Sequence, residues 1–551
     1  MLHPCREDSV VSYVIPIHHA LGLLAMAAAA WIYAKARQRP AIERLALTSL
    51  PITISVVFWQ LFVDIAIQPL LQPWGGARLA PAVAITYGYE LYLPSGTGPV
   101  TGWLYPPGSA LAYLPVAWIP NVSLCLLAGR CLTLFYFFAP VAWLLLTRET
   151  EKKWLGVQLF ITFALLVCFS RPLRYAATEI HADAPALCLS ALSVIVLGRS
   201  RTARGNWLAI MLAALALWAK QLAFPIIAIV IPVWAYFKGG ISGLAKAGLA
   251  ILIVSFALLL LFLSWIDAPD LIFNILSIPI RHPRRHDSLF FLYRDLAKLY
   301  QSHVFLIALL FVGILGLFVE PPAPRDDSPS KRGADDWRLF GLVTLAELPF
   351  ALAGYIKVGG DDNNLAYFFY FLSIMCVLLL GRLLDQDQGD APPRFSLVIL
   401  AVNLALAFLL HLQLSLAMVS DETSWNQSKQ AVGYLRNHPG EAYLPWHPLE
   451  HLRVDGKLYH FEYGIFDRDL AGYPVPREQF LKYIPEAPSL VCYPPRTLVG
   501  DHITLRYLDD FTRKVQVPEL PDWECYARES GDDPVPSPPP THGPGEIGST
   551  G

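Results

Sequence analysis

Long apolar runs recur along this chain with only short polar breaks between them, and that pattern limits the fold more than any single motif. About twelve runs come near the ~17–25 residues a helix needs to cross a hydrocarbon core. They fall at roughly 11–35, 48–70, 127–147, 154–170, 184–199, 207–220, 222–236, 245–265, 303–319, 337–356, 364–383 and 396–416. Only 16% of the residues are charged, where a soluble domain carries about 25%. The fold expected is an all-α polytopic membrane bundle of about twelve spans. The net charge of −2 offers no field for nucleic acid. The first apolar segment opens on Glu7-Asp8 rather than on a basic region, so it reads as a span and not as a cleavable leader.

Basic residues orient the bundle. Lys35, Arg37, Arg39, Arg44, Arg148, Lys152, Lys153, Arg199, Arg201 and Arg204 fall in loops on one side, with Lys238, Lys246, Arg325, Lys331, Arg332, Arg338, Arg382 and Arg394. Fewer fall in the opposite loops, so the first side is expected to be cytoplasmic. The loop 71–126 and the tail from about 417 then face outward. Three parts are expected: a transmembrane part over 1–416, a small extracytoplasmic α/β domain over 417–530, and a disordered Pro-, Gly- and Ser-rich end over 531–551. Of the eight cysteines, Cys492 and Cys525 lie in the tail. In an oxidising compartment they are candidates for a disulfide, with free thiols as the alternative.

The densest signal is the loop Gly88 to Pro107, GYELYLPSGTGPVTGWLYPP. A connector between helices needs nothing so specific, whereas a loop built over a membrane-embedded site does. The segment after it, 107–119, is apolar but too short to span, and reads as an interfacial helix.

Charges at the outer ends of helices form the second signal, because a charge in the apolar slab is expensive and usually functional. Asp64 sits inside the second span. Glu179, His181 and Asp183 open the fifth, just after Arg171 and Arg174. A carboxylate there can deprotonate a hydroxyl or orient a phosphate-bearing donor through a divalent cation. The plainer alternative for Glu179 and Asp183 is helix N-capping. Lys220-Gln221 break two apolar helices, with Lys220 either buried against an anion or snorkelling to the surface. Lys357 precedes Gly359-Gly360-Asp361-Asp362-Asn363-Asn364, whose amides and acids can bind hydroxyls. Arg281, Arg284 and Arg285 cluster on the outer side with His282 and His286. They form either a phosphate grip or a stretch facing lipid headgroups.

Four pieces therefore occur in one order: Gly88-x-x-Leu91-Tyr92 with Tyr105-Pro106-Pro107, then Thr178 to Asp183 (TEIHAD), then Lys220-Gln221, then Lys357 to Asn364 (KVGGDDNN). Over about 45–420 this arrangement resembles the GT-C superfamily of polytopic glycosyltransferases, especially bacterial members that use polyprenyl-phosphate sugars. The resemblance implies an outward cavity open to a lipid donor and covered by the first outer loop. It implies a base carboxylate at the head of that loop and a second acid in the next outer loop. The chain departs from the pattern in having no acid at Gln72 to Trp74, which leaves Asp64 upstream or Glu90 downstream as base.

On this resemblance the chain is expected to move a sugar from a lipid-linked donor to a glycan, lipid or protein hydroxyl at the outer face of the cytoplasmic membrane. Asp64, Glu90, Glu179 and Asp183 are the catalytic candidates. Tyr92, Tyr105, Arg174, His181, Lys220, Gln221, Arg281, Arg284, Arg285, Lys357, Asp361 and Asn363 are the substrate-binding candidates. The rival readings are a transporter or flippase of a lipid-linked solute, and a non-catalytic relative.

Overall fold

A computed structural model describes residues 9–67, 74–147, 153–200, 202–284, 303–311, 336–358, 360, 362–386, 394–417, 427–495 and 502–529. Most of these are helical. The helices are α1 (Ser9–Lys35), α2 (Ala41–Phe62), α3 (Trp74–Thr86), α4 (Pro107–Leu111), α5 (Leu114–Ala117), α6 (Val122–Leu146), α7 (Lys153–Phe169), α8 (Arg171–Thr178), α9 (Asp183–Arg199), α10 (Ala203–Ala219) and α11 (Ile231–Leu263), with further helices after them.

Among the described residues, five helices are long and apolar enough to cross a membrane: Ala41–Ala66, Val122–Leu146, Gln221–Leu263, Asp336–Tyr355 and Asn363–Leu383. The pair α7 and α8 makes a sixth if counted as one bent span. The hydropathy pattern suggested twelve; runs such as 303–319 extend beyond the described residues, and others are short, bent or broken. α9 and α10 hold 17 residues each, at the lower limit for a crossing. The apolar stretch from 154 does not continue straight, because the chain turns by 102° between Phe169 and Arg171. There Ser170 accepts from the Leu173 N–H as the cap of α8, and Pro172 occupies its first turn. The runs at 222–236 and 245–265 are separated by Gly240, whose φ of 60° and ψ of −150° leave the helical region.

α9 and α10 pack as an antiparallel pair against α6, inside a core built from α6–α10 and the helices Asp336–Tyr355 and Ala366–Gln386. By contrast α11 turns Leu249, Leu252, Phe256 and Leu260 outward, as a lipid-facing helix does. The expected interfacial segment after Pro107 is two short helices, α4 and α5, packed against α3 and α10.

Residues 427–495 and 502–529 form a four-stranded sheet with short helices. Its strands β1 (Ala442–Tyr443), β2 (Leu490–Tyr493), β3 (Arg513–Val515) and β4 (Glu524–Ala527) lie in the order β1-β2-β4-β3. β1 runs parallel to β2, and the other pairs are antiparallel. Cys492 and Cys525 face each other across β2 and β4 and are disulfide-bonded, with Cα atoms 4.1 Å apart. The end 531–551 lies outside the described residues.

This unit is fused to the first loop. Phe461 N–H donates to the Val100 carbonyl (2.8 Å), and Val100 N–H donates to His460 Nδ1 (2.9 Å). Arg468 donates to the Ser95 carbonyl, and the Gln479 amide to the Gly98 carbonyl. Gly102, at φ +67°, lies against Gly464. A Cβ on Gly102 would come within 2.8 Å of the Gly464 Cα, so both positions need glycine for the two backbones to touch. Trp74 at the start of α3 meets Trp446, Phe461 and Tyr463 edge-on. The Gly- and Pro-rich loop is thus clamped between the helices and the sheet unit.

Candidate active site

Two buried carboxylates organise the site. The first is Asp183, on the first turn of α9. The N-capping alternative does not hold for it: the cap position is Ala182, and no side chain caps the helix. Its two oxygens are taken instead by His181 Nδ1 and by Lys220 Nζ. Lys220 can reach because it leaves α10 in an extended conformation (φ −153°, ψ 135°). All three side chains are buried, so Lys220 is the buried partner of an anion and does not snorkel. The remaining His181 nitrogen, Nε2, contacts the Tyr105 hydroxyl at 2.7 Å. Tyr105 in turn is fixed by the Tyr92 hydroxyl, which donates to its carbonyl (2.5 Å). Gln221 holds the same loop from below, donating to the carbonyls of Leu104 (3.0 Å) and Ile275 (3.1 Å). The loop motif and the TEIHAD motif therefore form one network. The rings of Tyr105 and Tyr367 lie 5.7 and 5.8 Å from Lys220 Nζ, giving the ammonium further stabilisation in a dry site.

The second carboxylate is Asp64, in a π-helical turn, Val63–Ile67, that ends α2. Such turns redirect side chains and are frequent at functional sites. Asp64 Oδ1 accepts from Gln60 Nε2 (3.0 Å). Its other oxygen, Oδ2, is buried, makes no hydrogen bond among the described residues, and lies 3.6 Å from Arg174 Nε. Glu179, fully buried at the end of α8, is within electrostatic reach of Asp64, Arg78 and Arg130. Arg78 on α3 stacks on Trp74 and Tyr175, and Tyr175 also meets the His181 ring edge-on.

The other sequence candidates are placed differently. Glu90 is exposed on the loop and, among the described residues, joins neither carboxylate. Arg281 is exposed and stacks on Tyr473, while Arg284 pairs its backbone with that of Lys357 in an isolated antiparallel bridge. Lys357 is half-buried near Asp467 and His282. Asn363, half-exposed, starts the span Asn363–Leu383. Arg285 and Asp361 lie outside the described residues, so the arginine cluster is only partly described. His282 Nε2 contacts the Asp467 carbonyl at 3.0 Å, and burial pushes its imidazole down to about 4. Burial pushes the Asp467 carboxyl up to about 8, against the pull of Lys357.

Four charged residues at or near this site went unassigned in the sequence reading: Arg78, Arg130, Glu347 and Asp467. Glu347 is fully buried in the helix Asp336–Tyr355, within electrostatic reach of Tyr367. The signal that reveals Arg78, Arg130 and Glu347 is a lone charge inside an apolar run. Among the described residues no group of three or more His, Cys, Asp or Glu side chains could hold a metal ion, so no step is assigned to one.

Compared with solved structures, the chain is similar to ArnT from Cupriavidus metallidurans in a crystal structure bound to undecaprenyl phosphate. The TM-score is 0.55 at 12% identity, over 87% of this chain and 98% of that one. No protein-family model and no curated protein matches the chain. The chain therefore shares the polytopic membrane fold of that ArnT structure.

Proposed function

We propose that the protein is a glycosyltransferase that moves a sugar from a polyprenyl-phosphate donor to a hydroxyl acceptor at the outer face of the cytoplasmic membrane. The observation that carries this reading is the buried Tyr105–His181–Asp183–Lys220 network beside Asp64, set under a clamped loop in a GT-C fold. A flippase needs a path that opens to both sides, whereas this arrangement invests in holding side chains still.

In the proposed reaction Asp64 Oδ2 takes the proton of the acceptor hydroxyl. The freed oxygen bonds to the anomeric carbon as the bond from that carbon to the phosphate oxygen breaks. The electron pair leaves with the polyprenyl phosphate. Arg174, Lys220 and Arg78 are the site's cations for the growing phosphate charge. Asp183 is fully engaged, so its role is to hold Lys220 and His181 in place. This scheme needs only groups of the chain and its two substrates.

The test is transfer in proteoliposomes that hold a radiolabelled polyprenyl-phosphate monosaccharide, with cell-envelope glycan supplied outside. Label should pass from lipid to glycan with the wild type and fail to with Asp64→Asn. Label that crosses the bilayer with its sugar–phosphate bond intact would establish the flippase instead.

A further inference from the structure

A recess separate from the Asp183 network lies between the membrane helices and the sheet unit. It holds about 510 Å³ of empty space, counting its open mouth. Gly75 and Gly76 of α3 form one wall and the stretch of α6 from Ser123 to Arg130 another. Ser428, Lys429, His447 and Glu450 close it from the C-terminal unit. Its polar groups are buried yet incompletely bonded. Glu450 is 1% exposed; its Oε1 accepts from the Ser428 hydroxyl (2.5 Å), while Oε2 has no partner among the described residues. His447 is fully buried and stacked on Trp523, with Nδ1 at 3.3 Å from Glu450 Oε1 and Nε2 without a partner among the described residues. Arg130 is 5% exposed; one of its amines donates to the Ile65 carbonyl (3.3 Å), while Nε has no partner among the described residues. Leaving buried polar atoms unbonded costs about 1–3 kcal/mol each, so such a group of them marks a place where something else bonds.

The two glycines keep the space open. A Cβ on Gly76 would come within 3.3 Å of Glu450 Oε1, and one on Gly75 within 3.2 Å of the Arg130 guanidinium. The chemistry on offer is mixed. Arg130 and Lys429 donate, Glu450 accepts, and His447 does either according to its tautomer. A phosphate, which only accepts, would face the open Glu450 oxygen. A sugar ring bears hydroxyls that donate and accept at once, and it satisfies both kinds of partner. Through Arg130 the recess also backs onto the π-helical turn that carries Asp64.

We infer that this recess binds the hydroxyl-bearing edge of a carbohydrate, Glu450 accepting from one hydroxyl and Arg130 donating to a neighbour. Resting on the transferase reading, it is the seat of the acceptor's terminal sugar, delivered toward Asp64. The same chemistry would also recognise the donor's own sugar, and the test separates the two.

Saturation-transfer NMR on the full chain in nanodiscs, with a panel of methyl pentosides and methyl hexosides as probes, tests the assignment. At least one glycoside should receive magnetisation from the wild type. Glu450→Gln, which keeps the shape, and Gly76→Leu, which fills the space, should each weaken that binding about tenfold or more, as loss of a hydrogen bond to a charged group does. Thermal unfolding of both variants confirms that they fold. A signal that persists when a polyprenyl-phosphate monosaccharide is added assigns the recess to the acceptor, and a signal displaced by it assigns the recess to the donor sugar. Either supports a carbohydrate site. No transfer to any glycoside, or transfer unchanged in both folded variants, overturns it. Glycoside binding in a protein that moves no sugar would leave the recess standing and sink the transferase reading alone.

Discussion

Asp183 and Asp64 are both buried carboxylates at helix ends, yet their surroundings differ in a way that separates their roles. Asp183 has both oxygens committed, to His181 and to Lys220. Asp64 has one oxygen held by Gln60 and the other facing Arg174 without a hydrogen bond among the described residues. A carboxylate that must take a proton needs an open lone pair, whereas one that must hold a lysine and a histidine in place needs none. Asp467 adds a third case. It is buried near Lys357 and His282, in the C-terminal sheet unit, and burial dominates its protonation.

The largest effect expected from this contrast is on turnover. Asp64→Asn should lower sugar transfer by roughly 10²- to 10⁴-fold, the span of a lost general base, with the melting temperature little changed. Equal losses in turnover and in stability would merge the two carboxylates into one structural role. The Asp183 side should behave in the opposite way. Lys220→Met leaves Asp183 buried without its cation and should cost about 3–5 kcal/mol of stability. Adding Asp183→Asn to it should recover most of that stability and none of the activity. If the double variant melts no higher than Lys220→Met, the pair is not the unit described.

A smaller effect belongs to the loop. Tyr105→Phe removes only the hydroxyl at His181 Nε2. It should raise the apparent donor Michaelis constant by about three- to tenfold, in line with ~0.5–1.5 kcal/mol for one neutral hydrogen bond. A drop in turnover at saturation with no change in that constant would move Tyr105 from binding to chemistry.

The smallest concerns Asp467. Its folded carboxyl stands near 8 and its unfolded one near 4, so the native state binds the extra proton between these values. Stability from this group is full at low pH and is lost as the pH rises through 8. His282, held down near 4, works the other way only between about 4 and 6.5. Glu462, which burial pushes up to about 7, slopes the same way as Asp467, so the Asp467 part is read as the difference between the wild type and Asp467→Asn. Between pH 6.5 and 8 the wild type should lose on the order of 1 kcal/mol that Asp467→Asn does not lose. Parallel pH profiles for the two proteins would mean that Asp467 ionises freely in the fold.

What could be read from the sequence was what local chemistry reveals. TEIHAD, Lys220 and the loop tyrosines stood out because charge and turn residues interrupt apolar runs, and they meet in space. Asp64 was visible for the same reason. How the apolar runs bend and pack was not legible. Apolar composition does not distinguish a straight crossing from the 102° turn at Ser170 or from the buried 17-residue α9 and α10. The clamp on the first loop was hidden too, since its half-partners, Gly102 and Gly464 or Val100 and Phe461, are far apart in the chain and ordinary in isolation. Glu450 and His447 lie in the polar tail, where nothing local in the sequence sets them apart. Only packing against α3 and α6 buries them.

The central claim is that Asp64 does the chemistry and Asp183 builds the site. It is tested most directly by measuring donor affinity and single-turnover transfer on Asp64→Asn and Asp183→Asn side by side, with a polyprenyl-phosphate monosaccharide in nanodiscs. Asp64→Asn should bind the donor within about twofold of the wild type and transfer at least roughly a hundredfold more slowly, while Asp183→Asn should lose about tenfold or more in affinity. Near-normal single-turnover transfer by Asp64→Asn would contradict the account.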